Sequence, residues 1–186
     1  MKRLQLLLFI IIALIFGACG TNIEDDRYSK TYDMWMYMTP TYTIDVEYDV
    51  YKNGQKIDYF IETTKLFPSG VVERVSGEDV TVLTPYDNYI EMDERDGDRV
   101  EVQRFVKIGD TNIFQSSSDL LCRIDDYFFE KTIRGSRFQE VIKISCQKGA
   151  IQSEIYYAYE EGIVSFYENN GRDITETVKV REIKLQ

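Results

Sequence analysis

The chain has 186 residues, 22 Lys and Arg against 32 Asp and Glu, a net charge of −10, and no histidine. The acidity excludes a nucleic-acid partner, because the basic footprint that phosphate contacts need is missing. The lack of histidine removes the commonest general base and metal ligand and every Ser-His or Cys-His nucleophile pair. Carboxylate, Lys and Tyr chemistry stays open. No motif points to it, so no catalytic residue, metal or cofactor is expected.

The N-terminus reads as a signal. Lys2 and Arg3 precede an unbroken apolar run from Leu6 to Phe16, then the small pair Gly17-Ala18 and Cys19. That order is a secretory signal of residues 1–18, and the run is short of the roughly 18 residues of a spanning helix. A cysteine directly after the cut resembles the lipobox of bacterial lipoproteins, with Phe16 where leucine is usual. The resemblance implies that Cys19 becomes the first residue and carries acyl chains, a diacylglycerol on sulfur and a palmitate-type chain on the amine. Several chains hold a protein stably where one binds marginally. Gly20, in place of the aspartate that retains such proteins in the inner membrane, implies the outer membrane, with the domain facing the periplasm. An ordinary secreted protein and an uncleaved anchor are the alternatives. Removing Lys2 and Arg3 leaves 20 basic against 32 acidic residues, or −12.

Residues 19–33, with Glu24-Asp25-Asp26-Arg27, read as a flexible lipidated tether, and residues 34–186 as a single β-rich domain. Met34, Met36 and Met38 alternate with Trp35 and Tyr37. In an extended chain the three thioethers share a face. Packing into the core is their commonest fate, a partner-binding surface is the next, and Cu(I) ligation by soft sulfur is the third.

The body is expected to be all-β: an antiparallel meander, curved half-barrel or β-sandwich built from successive hairpins. Tyr42, Ile44, Val46, Tyr48 and Val50 alternate with Thr43, Asp45, Glu47 and Asp49, and Asn53-Gly54 follows. Asn-Gly suits a two-residue turn with positive φ at both positions. Pairing Lys52 with Gln55 sets Val50 against Ile57, Tyr48 against Tyr59, Val46 against Ile61 and Ile44 against Thr63, so that the apolar faces match. The other face then sets Asp49 against Asp58 and Asp45 against Glu62. Like charges directly opposite are unfavourable, so this face is either well solvated or binds a cation.

Further strands are expected over Val71–Val75, Val80–Leu83, Tyr89–Met92, Val100–Ile108, Ile155–Tyr159, Ile163–Tyr167 and Thr177–Leu185. Turns are expected at Asp96-Gly97-Asp98 and Asn169-Asn170-Gly171. Glu91, Asp93, Glu94, Asp96 and Asp98 crowd around Gly97, but Met92 stands where a calcium loop needs an acid. A solvated turn is the simpler account.

Leu120–Lys131 and Phe138–Gln147 read as a long hairpin centred on Arg134, with a three-residue loop and Gly135 at its left-handed position. Cys122 and Cys146 fall opposite one another about that centre. They are an even pair in an oxidising compartment, so a disulfide is expected over two buried thiols. The run Tyr156–Val164 is similar to a late hairpin of periplasmic curved-sheet proteins. Tyr127, Phe128 and Phe129, with Tyr156, Tyr157 and Tyr159, form aromatic strands that pack a core, line an acyl-chain cavity or present a partner surface.

Two functions fit these features. One is a non-enzymatic, membrane-anchored lipoprotein that binds another envelope protein as an assembly or stabilising factor. The other is a lipid or lipoprotein carrier with an apolar cavity in a curved sheet. Fold analogy does not choose between them.

Overall fold

A computed structural model describes residues 26–94, 99–115 and 119–184. A short 3-10 turn (Asp26–Tyr28) and β1 (Tyr32–Asp33) lead into a five-residue helix, α1 (Met34–Met38). The strands that follow are β2 (Ile44–Lys52), β3 (Gln55–Leu66), β4 (Val72–Ser76), β5 (Asp79–Pro85), β6 (Tyr89–Glu94), β7 (Arg99–Gln103), β8 (Phe105–Val106) and β9 (Phe114–Gln115). The long hairpin is β10 (Leu121–Ile133) and β11 (Ser136–Lys148), and β12 (Ile151–Ala158), β13 (Gly162–Asn169) and β14 (Ile174–Lys184) complete the chain. Twelve strands form one antiparallel sheet in the order β10-β11-β12-β13-β14-β2-β3-β4-β5-β6-β7-β9, while β1 pairs with β8. The expected hairpin architecture is therefore present, as a curved sheet.

The segment before β9 brings the two ends of that sheet together. The N–H groups of Gly109 and Asn112 donate to the carbonyls of Ile124 and Cys122 on β10, and the Ile124 N–H donates to Asp110. On its other side the Gln103 N–H of β7 donates to Ile113. Only closure removes a sheet's edges fully, and this segment makes most of the closure.

The concave side holds the main core, and α1 sits in it. Met34 and Met38 are fully buried and Tyr37 nearly so, packed with Val72, Leu83, Ile90, Ile142 and Ile144. The expected extended Met-Trp-Met-Tyr-Met segment is thus a helix. Asp33 caps it, accepting from the Trp35 N–H at 3.0 Å, which meets one of the unpaired donors of a helix start. The buried positions 34, 37 and 38 follow helical spacing, one face turned to the core. Residues 26–33, read as part of the tether, pack on the domain. Tyr32 is a core residue, and its ring stacks on Tyr127 at 5.1 Å. Arg27 donates to the Tyr127 carbonyl.

A second cluster lies on the outer face. Val141 and Ala158 join Ile133, Phe138, Val164 and Val178, while their strand neighbours Ile142 and Tyr157 join the main core, as alternation requires. Glu140 has φ +48°, and Phe138 and Val141 both reach this cluster. The tip of the β10–β11 hairpin leans over β14 and β2: Arg134 binds Glu176 at 2.6 Å and sits 4.0 Å over the Tyr51 ring.

Both predicted turns of the long hairpins form, with altered registers. Asn53 (φ +49°) and Gly54 (φ +84°) make the two-residue turn, and Lys52 pairs with Gln55. A bulge then leaves Ile57 unpaired, so Val50 faces Asp58, Asp49 faces Tyr59, Tyr48 faces Phe60 and Val46 faces Glu62. The matched apolar pairing is corrected by one residue. The shift stacks Phe60 on Tyr48 at 5.1 Å. It also separates the opposed acids, since Asp49 meets Lys56 at 2.5 Å and Asp45 accepts from Thr63 at 2.7 Å. In the other hairpin the loop has two residues, Arg134-Gly135, not three, and a bulge near Asp125 restores the register that sets Cys122 against Cys146.

Burial of tyrosines makes the fold sensitive to alkali. Burial first, then nearby charge, raises Tyr37 and Tyr48 far above an ordinary phenol. Tyr156 is pushed up to about 12 by burial, then by its hydrogen bond to Glu154. A phenol raised in the folded state contributes stability that is whole below its unfolded pKa of about 10 and is lost as pH rises through the folded value. Tyrosine absorbance titrated upward from pH 9 should therefore show these phenolates appearing only together with unfolding above pH 10. Complete ionisation near pH 10 with the sheet intact would contradict their burial.

Candidate functional site: an open sheet edge

The residues singled out from sequence fall into separate places. Cys19 lies outside the described residues, as do Asp96, Gly97 and Asp98. Cys122 and Cys146 are directly paired across β10 and β11 and form a disulfide, their Cα atoms 4.1 Å apart. Met34, Tyr37 and Met38 are core, with Trp35 and Met36 partly exposed, so the five do not share one exposed face. Tyr127 and Tyr157 are also core, whereas Phe129 is exposed.

The concave side offers no acyl-chain cavity among the described residues. Two buried cations hold its contents in place. Arg74 donates to the Met38 carbonyl at the end of α1, and Lys179 is held by Glu161 and Glu182. The space beside Arg74 amounts to about 10 Å³. A wider cleft of about 510 Å³ runs along the disulfide, lined by polar groups such as Asn112, Ser145, Gln147 and Gln152. Its charged residues are engaged, Arg123 with Asp125 and Glu154 with Lys143. Asp125 shows the balance there: burial pushes its carboxyl up, but Ser145 and Lys143 bind the anion and hold it below the usual range.

The feature that sequence reading missed is an unpaired edge. β3 has twelve residues, but β4 pairs with Thr63–Leu66 alone. Among the described residues, Gln55–Glu62 therefore carry no strand on their far side. Alternate residues of an antiparallel strand turn N–H and C=O toward each neighbour, so this half of β3 presents free backbone groups. The Tyr59 N–H meets the carboxylate of Asp58 at 2.8 Å. Ile57, Tyr59 and Ile61 are large, apolar and exposed, Tyr59 to 60%. Tyr59 and Ile61 share the outer face with Asp49 and Glu47, each of which has a cation, Lys56 and Arg181 respectively. Val180 and Ile183 of β14 are also exposed.

Such an edge is a template for another strand, and natural sheets usually shorten, charge or cover it. Here the bulge at Ile57 and the Asp58 carboxylate give partial protection, while the apolar side chains are left in water. The signal that could have found it is the mismatch in length between the twelve-residue β3 and a following run that reaches Gly77 after only five strand residues.

No known protein family matches the chain, and no curated protein matches it. Among solved structures, a Bacteroides fragilis protein with a YmcC-like fold, thought to be exported, aligns with 80% of this chain and 99% of its own at 12% identity and a TM-score of 0.43.

Proposed function

We propose that this chain is a lipid-anchored, non-enzymatic protein of the cell envelope that binds another envelope protein, with the open half of β3 as the contact. The anchor is Cys19, behind its signal of residues 1–18, and Gly20 favours the outer membrane with the domain in the periplasm. One observation carries the binding role: among the described residues, Gln55–Glu62 form a strand with no neighbour on one side and with Ile57, Tyr59 and Ile61 exposed. A partner would add an antiparallel or parallel strand there, gaining backbone hydrogen bonds and pockets for alternate side chains. The filled concave side supports this reading over a lipid carrier.

The test is site-specific cross-linking in living cells. A photoreactive residue replaces Ile61 in the full-length, lipid-modified protein. One dominant adduct with an envelope protein is expected, absent when the same residue replaces Lys148 at the exposed end of β11, five strands away in the sheet. No protein adduct at Ile61, with the protein at normal abundance, would sink the binding role.

A further inference from the structure

The two ends of the sheet differ in the chemistry of their connections. Neighbouring strands are antiparallel, so the links β3–β4, β5–β6, β7–β8 and β12–β13 emerge at one end, where the β10–β11 turn also starts out before it folds back over the outer face. Hydrogen bonds join two of the links and fix a third to the helix: Arg104 after β7 donates to the Asn88 and Tyr86 carbonyls, and the Glu160 N–H donates to the Met36 carbonyl of α1. Three of these links and the first residue of β8 each place one aromatic side chain in water, namely Phe67, Tyr86 and Tyr159, and Phe105, each 38–44% exposed. Arg104 lies over the Phe105 ring at 5.2 Å. Among the described residues the links at the opposite end are Asn53-Gly54, Gly77-Glu78, Gly149-Ala150 and Asn170–Asp173, with no aromatic residue. The exposed apolar residues near that end, Leu121, Ile151 and Ile174, are aliphatic and begin strands. Both ends carry acids, Glu78 and Asp79 at this one and Asp87, Glu160 and Glu161 at the aromatic one.

We infer that the aromatic end rests on the phospholipid bilayer that holds the anchor, with Phe67, Tyr86, Phe105 and Tyr159 in the headgroup layer. The inference depends on the lipidation of Cys19 proposed above. Amphipathic rings favour the membrane–water boundary over either bulk phase. The anchor allows the geometry. Seven Cα steps separate Cys19 from Asp26, a span of at most about 25 Å. Arg27 is fixed to Asp126 and Tyr127, which through Ile142 stand level with Tyr157 beside the β12–β13 link, whereas the start of β10 at the opposite end is about 20 Å away at strand rise. Reach favours the aromatic end, and the rings select it.

The experiment uses the lipidated full-length protein in phosphatidylcholine vesicles. Benzoylphenylalanine replaces Phe67, Tyr86, Phe105 or Tyr159, one at a time, and Asn53 or Glu78 for comparison. Illumination should give lipid adducts about tenfold more often at the four aromatic positions than at the other two. Comparable yields at both ends, or adducts joining two copies of the chain instead of lipid, would overturn the inference. Flotation of the same vesicles separates it from the anchor: protein that floats without lipid adducts refutes the docking and leaves the anchor standing. Protein that fails to float refutes both.

Discussion

Replacing Cys122 and Cys146 together by alanine is expected to destabilise the folded domain by about 3.5 kcal/mol. The two residues are separated by 24 positions, and closing a loop of that length removes roughly this much chain entropy from the unfolded state. A single domain is held by only about 5–15 kcal/mol, so the loss is a large share of the total. The location adds to the effect. The Cys122 carbonyl accepts from Asn112, and Ile124 exchanges hydrogen bonds with Gly109 and Asp110. These bonds join the two ends of the sheet, and the disulfide holds β10 against β11 beside them. Denaturant unfolding with and without reductant measures the loss, and hydrogen exchange shows where it begins. The Asn112 and Ile124 amides should exchange first in the reduced protein, ahead of those in β12 and β13. A midpoint unchanged by reduction would mean that the sheet closes without help from the crosslink.

Much of this arrangement could be read from the chain, and the failures have physical causes. Asn53-Gly54 and Arg134-Gly135 specify left-handed turn positions locally, so both turns were visible. The cysteine pairing was visible too, because two strands about a marked centre fix which residues meet. Register was harder to see. Matching apolar faces predicted Tyr48 against Tyr59, but that pairing also opposed Asp49 to Asp58 and Asp45 to Glu62. A bulge at Ile57 relieves the repulsion and gains the Phe60–Tyr48 stack, a compromise between two faces that no single alternation pattern displays. Met34–Met38 misled for a related reason. Alternating Met and aromatic residues suit period two, yet burial at 34, 37 and 38 has helical spacing, and Asp33 supplied a cap that pointed to it. The open edge depends on how far β4 runs beside β3, a relation between two strands.

The proposed contact and the proposed lipid-facing end occupy different halves of the molecule. β3 begins at Asn53-Gly54, the end away from Phe67, Tyr86, Phe105 and Tyr159, and its unpaired residues are the first eight of twelve. A domain standing on its aromatic end would therefore hold Gln55–Glu62 away from the bilayer, where a periplasmic strand can reach them. Lipid contact at one end would leave the partner edge free.

Tyr59→Pro is expected to abolish partner binding, by about 100-fold or more, while changing the stability of the fold by less than about 1 kcal/mol. Proline removes an N–H and tolerates only positions whose N–H is not needed by the ladder. Tyr59 is such a position, since its N–H meets Asp58 on the open side. An added strand would lose that donor, meet the pyrrolidine ring and lose the exposed tyrosine, a residue type that often anchors interfaces at 2 kcal/mol or more. With a lost hydrogen bond of about 1 kcal/mol, the sum corresponds to the stated fold-change. Phe60→Pro is the contrast. By alternation its N–H serves β2, and its ring stacks on Tyr48, so about 3 kcal/mol or more of stability should go. The readout is the photo-adduct formed from position 61 in cells, set against protein abundance and the unfolding midpoint. A Tyr59→Pro protein that folds normally and still forms the adduct would show that a partner grips the outer face through side chains, and strand addition at β3 would be refuted.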